Sequence, residues 1–165
     1  MDITVRKQHI WTILENVSDP EIPVLTIQDL GIVRDVLLKQ DDTVEVIITP
    51  TYSGCPAMSV IAMNIKFELL AHGFKHVKVT ETLSPAWTTD WMTESGKEKL
   101  RAYGIAPPVV EARIEKLLFA APPSVSCPLC GSKNTVLISE FGSTACKSLM
   151  RCTDCLEPFD YFKCL

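Results

Sequence analysis

Residues 49–57 have the sequence Thr49-Pro50-Thr51-Tyr52-Ser53-Gly54-Cys55-Pro56-Ala57, and the chain changes there from a strand pattern to a helical pattern. Cys55 lies at that junction. A thiol at a helix N-terminus faces unpaired backbone N–H groups and the positive end of the helix dipole, and both favour its thiolate form. Cys55 is therefore a candidate for chemistry. The alternative is a small, buried apolar residue, which is the usual state of a single cysteine.

The segments on either side of this junction predict a hairpin and a core helix. Residues 32–38 and 44–49 are rich in β-branched side chains, and Asp41-Asp42-Thr43 joins them, which is typical of an antiparallel hairpin. After the junction, Pro56 suits the first position of a helix, and apolar residues recur at helical spacing. We expect this stripe to face the core rather than a cofactor; it comprises Met58, Ile61, Ala62, Ile65 and Leu69.

The other elements complete an α+β domain. Residues 5–17 predict an amphipathic helix, residues 77–82 a strand, and the segment that ends near Tyr103 a further helix. The predicted fold is a small α/β sandwich with an antiparallel or mixed sheet and packing helices. Trp87 and Trp91 are expected to cap its core. His72 and His76 flank Gly73 at a helix-to-strand turn, and we expect both to be exposed to solvent.

The first helix ends in a stiff acidic turn, Ser18-Asp19-Pro20-Glu21-Ile22-Pro23. The two prolines lack backbone donors, and Pro20 disfavours helical geometry at Asp19. The turn therefore holds the carboxylates of Asp19 and Glu21 in place. A helix-terminating loop with solvated acids explains the same pattern. Local sequence leaves the role of these two acids open.

The cysteines divide the chain. Residues 1–105 hold one of the seven cysteines, and the remaining sixty residues hold the other six. We therefore predict a first domain at 1–105, a linker at 106–123 and a C-terminal module at 124–165. Pro107-Pro108 and Pro122-Pro123 bound the linker, so it should be semi-rigid.

The C-terminal module contains two Cys-x-x-Cys motifs. Each motif can present two sulfurs to one metal ion, and two of them joined by a hairpin make a tetrahedral site, as in a zinc ribbon. The ligands are Cys127, Cys130, Cys152 and Cys155. Structural zinc is the expected metal, and iron, as in a rubredoxin-type centre or a cluster, is the alternative. Cys146 and Cys164 are surplus, as buried spectators, alternative ligands or transient metal carriers.

Charge and hydropathy exclude two classes of partner. The net charge is -4, and residues 124–165 carry four Lys or Arg against four Asp or Glu, so no part has the basic excess of a nucleic-acid binder. The N-terminal residues 1–9 contain no long apolar run, and no later segment approaches the roughly 18 apolar residues of a membrane span. We therefore expect a cytoplasmic protein that binds neither nucleic acid nor membrane.

Three motifs of the first domain resemble those of the SufT and MIP-type iron-sulfur assembly factors, whose small domain was once labelled a domain of unknown function. They are Asp19-Pro20-Glu21-Ile22-Pro23, Ile27-Gln28-Asp29-Leu30-Gly31-Ile32-Val33 and the stretch from Thr49 to Pro56. With a ribbon that contains Ser139-Glu140-Phe141-Gly142-Ser143-Thr144-Ala145-Cys146-Lys147 and Glu157-Pro158-Phe159-Asp160-Tyr161-Phe162-Lys163, nearly the whole chain resembles the PaaD family of phenylacetate-degradation proteins. One departure is Ser84-Pro85-Ala86-Trp87, where relatives often have Asp-Pro-Pro-Trp.

The resemblance implies an accessory factor that supplies metal to the multicomponent phenylacetyl-CoA epoxidase and does not itself turn over phenylacetyl-CoA. In that system the reductase component carries an iron-sulfur cluster and the catalytic component a di-iron site, so either is a candidate partner. The cysteine that matches Cys55 is the reactive position of the family, and the acids that match Asp19 and Glu21 belong to the same signature. Cys55 is therefore expected to bind iron or a cluster transiently, with Asp19 or Glu21 as oxygen ligands or proton acceptors.

Several alternatives stay open. Two protomers could share the bound metal as a homodimer. The protein could instead be a structural or scaffold subunit of the oxygenase. A thiol enzyme would need a histidine beside Cys55, and His72 and His76 lie beyond the far end of the same predicted helix, roughly 25 Å away at 1.5 Å per residue. His9 is the remaining candidate base.

Overall fold

The computed structural model describes residues 3–109 and 125–163. The chain divides into two units, Met1–Gly96 and Lys97–Leu165. The apolar centre of the predicted linker, residues 110–123, and the surplus Cys164 lie outside the described residues.

The first unit contains one three-stranded sheet, two long helices and a short 3-10 turn. Its elements are α1 (Ile3–Leu14), β1 (Val33–Leu38), β2 (Val44–Ile48), α2 (Ala57–Ala71), β3 (Val77–Glu81) and the 3-10 turn Thr89–Trp91. The strand order is β1-β2-β3. The β1–β2 pair is antiparallel, with Leu38 opposite Val44, and β2–β3 is parallel, with Val44 opposite Val77. The predicted hairpin and the predicted α+β class with a mixed sheet are confirmed.

The core of this unit lies between the helices and the sheet. The helix α1 contributes Ile10, Ile13 and Leu14 to it. The helix α2 contributes Met58, Ile61, Ile65 and Leu69, so the predicted core stripe is confirmed at these four positions. Its fifth predicted member, Ala62, is only half-buried. Burial of such side chains is the dominant favourable term in folding, at about 25 cal/mol per Å². Trp87 is also buried, and its indole N–H donates to the Leu30 carbonyl at 2.7 Å, which satisfies the polar atom of this core side chain.

The second unit is a four-stranded sheet that follows α3 (Glu94–Tyr103). Its strands are β4 (Ile105–Ala106), β5 (Thr135–Ser139), β6 (Lys147–Cys152) and β7 (Pro158–Phe162), in the order β4-β7-β6-β5. A small core holds them together: Ala106, Val125, Cys127, Met150, Cys152, Phe159 and Tyr161. Two of these core residues are cysteines of the predicted metal site, so the site is part of the core of the unit.

The division between the units differs from the sequence-based boundary after residue 105. Ile105 and Ala106 form β4, which pairs in parallel with Asp160 and Tyr161 of β7. Ala106 is also buried in the core of the second unit. The structural boundary therefore falls at Gly96 and Lys97, inside α3. A strand of two residues that pairs with a distant segment leaves no periodic pattern in the sequence, and this explains the difference.

Glu45 on β2 is a buried carboxylate that two lysines and a threonine surround. Its Oε2 lies 2.6 Å from Lys39 Nζ, and its Oε1 lies 3.0 Å from Lys78 Nζ and accepts from Thr80 Oγ1 at 2.5 Å. The hydrogen bond from Lys39, followed by those from Thr80 and Lys78, lowers the pKa of Glu45 to about 2, from an ordinary value of 4.5. The folded state therefore favours the ionised form of Glu45.

We expect this carboxylate to make the stability of the first unit depend on acid pH. Because the pKa of Glu45 is lower in the folded state than in the unfolded chain, the ionised carboxylate stabilises the folded state fully at pH values above 4.5. This stabilisation is lost as the pH falls from 4.5 towards 2. Glu45→Gln should therefore lower the free energy of unfolding at pH 7 and flatten its dependence on pH across that window. Urea titrations followed by tryptophan fluorescence measure this, because Trp11, Trp87 and Trp91 all lie in the first unit. Glu15→Gln, an exposed control on the same unit, should reproduce the wild-type curve, whereas parallel curves for Glu45→Gln and wild type would contradict the prediction.

Candidate metal-handling sites

Cys55 lies immediately before the N-terminus of α2. The strand β2 ends at Ile48, and Gly54 has a φ of +80°, which glycine adopts without the strain that a side chain would add. The N–H of Cys55 donates to the Tyr52 carbonyl at 3.3 Å, and Pro56 is the N-cap of the helix. The thiol is half-buried. Its place at the start of a helix, which the sequence predicted, is therefore present in the structure.

Each of the three histidines lies at the opposite end of the unit from Cys55. His72 is the C-cap of α2, about 23 Å from the start of that 15-residue helix. The ring of His9 lies 6.3 Å from the ring of Phe74, which follows the same helix end. His76 precedes β3, and Cys55 follows the carboxyl end of β2, the parallel neighbour of β3. The distances therefore argue against any of the three histidines acting as a base for Cys55. Both His72 and His76 are exposed, as predicted.

The acidic turn is organised by Asp19 itself. Its Oδ1 accepts from the backbone N–H groups of Glu21 at 2.8 Å and Ile22 at 2.7 Å, and its own N–H donates to the Leu25 carbonyl at 2.8 Å. Such side-chain-to-backbone bonds close an Asx turn. Asp19 is buried and Glu21 is half-buried. Within residues 3–109 and 125–163, the Cys55 thiol makes no hydrogen bond to either acid.

The four cysteines of the two Cys-x-x-Cys motifs come together in the second unit. Their sulfurs all lie within 4.8 Å of one another, with 3.8 Å between Cys127 and Cys155 and 3.6 Å between Cys130 and Cys152. A tetrahedral ion with metal–sulfur distances of about 2.3 Å has sulfurs roughly 3.8 Å apart. The cluster therefore fits one metal ion, as the sequence predicted. Four protein ligands leave no open coordination position, which is the arrangement of a structural site.

Polar side chains between the two motifs fix their relative position, and the sequence alone did not identify them. Asp154 accepts from Ser132 Oγ at 2.5 Å and from Asn134 Nδ2 at 3.0 Å, and Thr153 donates to the Asn134 carbonyl. The hydrogen bonds from Ser132 and then Asn134 lower the pKa of Asp154. No periodic signal marks these residues, because loop residues that bond across a site follow no spacing rule.

The four thiols have different proton affinities. The backbone N–H of Cys155, which lies 3.5 Å from the sulfur, lowers the pKa of Cys152 to about 7. The Glu157 N–H acts in the same direction on Cys155, but burial and the neighbouring sulfurs outweigh it and raise the pKa of Cys155 to about 12. For Cys130, the lowering effect of the Ser132 N–H is outweighed by a hydrogen bond with Cys152 and by burial, so its pKa is raised. A bound metal ion must displace the protons of such thiols, so metal affinity falls in acid.

Cys146 lies outside this cluster. It is buried, and its sulfur lies 3.0 Å from Thr144 Oγ1. Among the described cysteines, only Cys55 and Cys146 are not part of the four-cysteine cluster.

Among the described residues, no helix is both long enough and apolar enough to span a membrane.

Each of the two units contains the residues that match one known protein family. Residues 7–80 match the family model described as iron-sulfur cluster assembly protein, and residues 112–163 match the one described as PaaD zinc beta ribbon domain. The chain is 53% identical, over 94% of its length and 92% of the relative's, to an Escherichia coli (strain K12) protein whose name makes it a candidate component of 1,2-phenylacetyl-CoA epoxidase.

The first unit has relatives of its own. An Fe-S protein maturation auxiliary factor of Porphyromonas gingivalis is 35% identical, over 57% of this chain and 90% of that protein. A crystal structure from Bacillus anthracis, described as a domain of unknown function (DUF59), is similar with a TM-score of 0.55 and 26% identity. It covers 59% of this chain and 92% of its own. The fold of the first unit is therefore shared, over most of their length, with proteins that lack the C-terminal ribbon.

Proposed function

This chain belongs to the PaaD family, and from that premise we propose that it is an accessory factor that supplies or inserts iron or an iron-sulfur cluster into the multicomponent phenylacetyl-CoA epoxidase of phenylacetate degradation. Family membership supports a maturation or accessory role. Two relatives of the first unit are named as Fe-S protein maturation auxiliary factors, and such names describe helpers rather than catalysts. On this proposal the protein does not turn over phenylacetyl-CoA.

One observation carries the proposal: the chain has a half-buried thiol at a helix N-terminus that is separate from a closed four-cysteine site. A carrier must release its cargo, so it needs weak and exchangeable ligation. A single cysteine sulfur provides that, whereas four protein ligands around one ion do not. Cys55 is therefore the proposed transient ligand of the delivered iron or cluster.

The two acids take different parts in this proposal. Asp19 Oδ1 already accepts two backbone hydrogen bonds, so Asp19 would act mainly by holding the turn. Glu21, on the same turn and half-buried, is the proposed oxygen ligand or proton acceptor. Carboxylate oxygens suit iron in a weak site that has only one thiolate.

The four-cysteine cluster is proposed to hold zinc in a purely structural role. The ligands would be Cys127, Cys130, Cys152 and Cys155, and the ion would supply the folding free energy that a core of this size lacks. Iron in the same site is the alternative. Metal and sulfide analysis of anaerobically purified protein separates the two, because zinc should be present at one per chain and resist exchange.

The partners of the proposed factor are the epoxidase components, either the reductase or the di-iron component. A homodimer in which two protomers share the cargo at paired Cys55 thiols is a further proposal. Light scattering with and without bound iron decides whether the cargo links two chains.

The central experiment is a metal-transfer assay with Cys55→Ser. The wild-type protein, loaded with iron under anaerobic conditions, is incubated with the metal-free reductase or di-iron component, and the metal content of the recipient is measured. We expect the variant to leave the recipient at the level that it reaches without the factor, because serine is a far weaker ligand than a thiolate. Cys146→Ser removes the other non-cluster thiol and should transfer metal normally.

Normal loading of the recipient by Cys55→Ser would defeat the proposal. The scaffold alternative has its own signature, because a structural subunit co-purifies with the mature epoxidase at fixed stoichiometry. A maturation factor should be absent from the mature enzyme. The name of the Escherichia coli relative, which describes an epoxidase component, is the reason to measure both.

A further inference from the structure

The helix α2 has a second apolar stripe on the face opposite its core stripe. The outer stripe comprises Val60, Met63, Phe67 and Leu70, whose exposed fractions are 39%, 51%, 63% and 49%. Their spacing of three or four residues places them along one side of the helix. Single exposed apolar residues are common, but a contiguous row of four large ones marks an interaction site.

An acidic groove lies beside this outer stripe. It has a volume of about 370 Å³ and shares Phe67 with the stripe. Nine residues line it, and none of them is a lysine or arginine: Asn16, Val17, Ser18, Asp19, Pro20, Pro23, Asn64, Phe67 and Glu68. The groove therefore combines apolar walls with two carboxylates.

The two carboxylates of the groove have unused acceptor capacity. Asp19 is 8% exposed and uses Oδ1 for the backbone of its own turn, while its Oδ2 accepts no hydrogen bond from any residue in the described ranges. Glu68 has a histidine, His72, 3.8 Å away on the next helical turn. A carboxylate that is mostly buried is stabilised by a cationic partner, which can come from another molecule.

We propose that the outer stripe and the acidic groove together form the docking site for the recipient epoxidase component. The partner would present an amphipathic segment whose apolar side chains pack on Met63 and Phe67. A lysine or arginine of the same segment enters the groove between Asp19 and Glu68. This inference rests on the proposed function for the identity of the partner, and it assigns contact with that partner to α2 of the first unit.

Area and charge favour such a partner over a second copy of this chain. Obligate homodimers bury roughly 2,000–5,000 Å² in total, whereas apolar patches of about 300–600 Å² are typical of the functional patches of monomers. A row of four half-exposed side chains is closer to the second class. A two-fold interface through this face would also bring the same acidic groove to both sides, and like charges repel. A brief encounter with a recipient needs only the smaller area.

The test measures the dissociation constants of the full-length protein with the purified reductase and di-iron components. Phe67→Ser removes the aromatic anchor of the outer stripe, and Glu68→Lys reverses one charge of the groove. Each variant is expected to weaken binding by about tenfold or more, as the loss of a central anchor or of a paired charge does in other interfaces. Wild-type binding should also weaken as salt rises, and Glu68→Lys should lose part of that dependence.

Matched controls separate docking from general surface effects. Ile3 on α1 has the same exposed fraction as Phe67, 63%, but belongs to neither the outer stripe nor the groove. Ile3→Ser should therefore leave binding unchanged. Glu98 is an exposed carboxylate outside the groove, so Glu98→Lys should do the same. Tryptophan fluorescence and metal content confirm that each variant is folded.

Unchanged affinity in both Phe67→Ser and Glu68→Lys would overturn the docking site. So would a wild-type dimer that Phe67→Ser converts to monomer, because the face would then belong to a second copy. The outcomes for the proposed function are distinct from these. If Cys55→Ser binds the component normally but fails to load it, both proposals stand; if Phe67→Ser and Glu68→Lys both bind and load the component normally, only the docking site falls.

Discussion

Replacement of Cys152 by serine is expected to abolish metal binding and to unfold the ribbon while the first unit stays folded. Cys152 is fully buried, belongs to the four-sulfur cluster and packs in the small core of the second unit. Structural zinc contributes roughly 10–16 kcal/mol to folding in small zinc domains. The loss of one of four ligands removes most of this folding free energy. So small a hydrophobic core cannot replace it.

Two measurements follow this change in separate units. Metal analysis reports the stoichiometry, and hydrogen exchange of residues 125–163 reports the ribbon, where protection should be lost. Tryptophan fluorescence reports the first unit, which holds Trp11, Trp87 and Trp91, and should not change. A strong chelator should have the same effect on the wild-type protein.

Cys146→Ser is the matched control for this prediction. Cys146 is also a buried cysteine of the second unit, but its sulfur lies outside the cluster. We expect one bound metal ion per chain and a protected ribbon. Retention of metal by Cys152→Ser with a protected ribbon would show that three sulfurs suffice, and the closed four-cysteine site would be wrong.

Gly31→Ala is expected to destabilise the first unit by about 2–5 kcal/mol, because the new methyl group meets both backbone strain and a steric barrier. Gly31 has a φ of +66°, a conformation that residues with a side chain rarely adopt. A Cβ at this position would lie 2.7 Å from Trp91 Cβ and 2.9 Å from its carbonyl carbon. These neighbours include backbone atoms, which have little freedom to move aside.

Gly73→Ala separates the two causes. Gly73 has a φ of +90°, but a Cβ there would have nothing within 4 Å. It should therefore cost only the backbone term, about 1–2 kcal/mol. Urea unfolding followed by tryptophan fluorescence measures both variants. Equal losses for Gly31→Ala and Gly73→Ala would show that the contact with Trp91 adds nothing.

The sequence predicted those parts of the candidate sites that depend on neighbours along the chain. The change from a strand pattern to a helical pattern around Cys55 predicts its place at a helix start, where the structure has it. The four-sulfur cluster was predicted because two Cys-x-x-Cys turns are local, preformed pairs of ligands. The turn at Asp19 was predicted because proline acts on its immediate neighbours.

The same patterns gave an incomplete account of α2. Helical spacing predicts that the inner stripe faces the core, but it does not distinguish the outer stripe, because the helix is apolar on most of its circumference. Spacing indicates which residues share a face, and it does not indicate which of two apolar faces the sheet will cover. The acidic groove was likewise invisible, since it joins residues 16–23 to residues 64–68.

Local sequence patterns specify the α+β class, the hairpin, the helix that follows Cys55, the two Cys-x-x-Cys motifs and the family resemblance. Those features follow from local periodicity, proline and glycine geometry and motif spacing, all of which act over a few residues. Three further features appear in the folded chain alone: Ile105 and Ala106 belong to the second sheet, Asp19 uses Oδ1 to close its own turn, and one face of α2 stays exposed beside two carboxylates. These outcomes depend on which distant segments pack together, and packing is a property of the folded chain that no local pattern specifies.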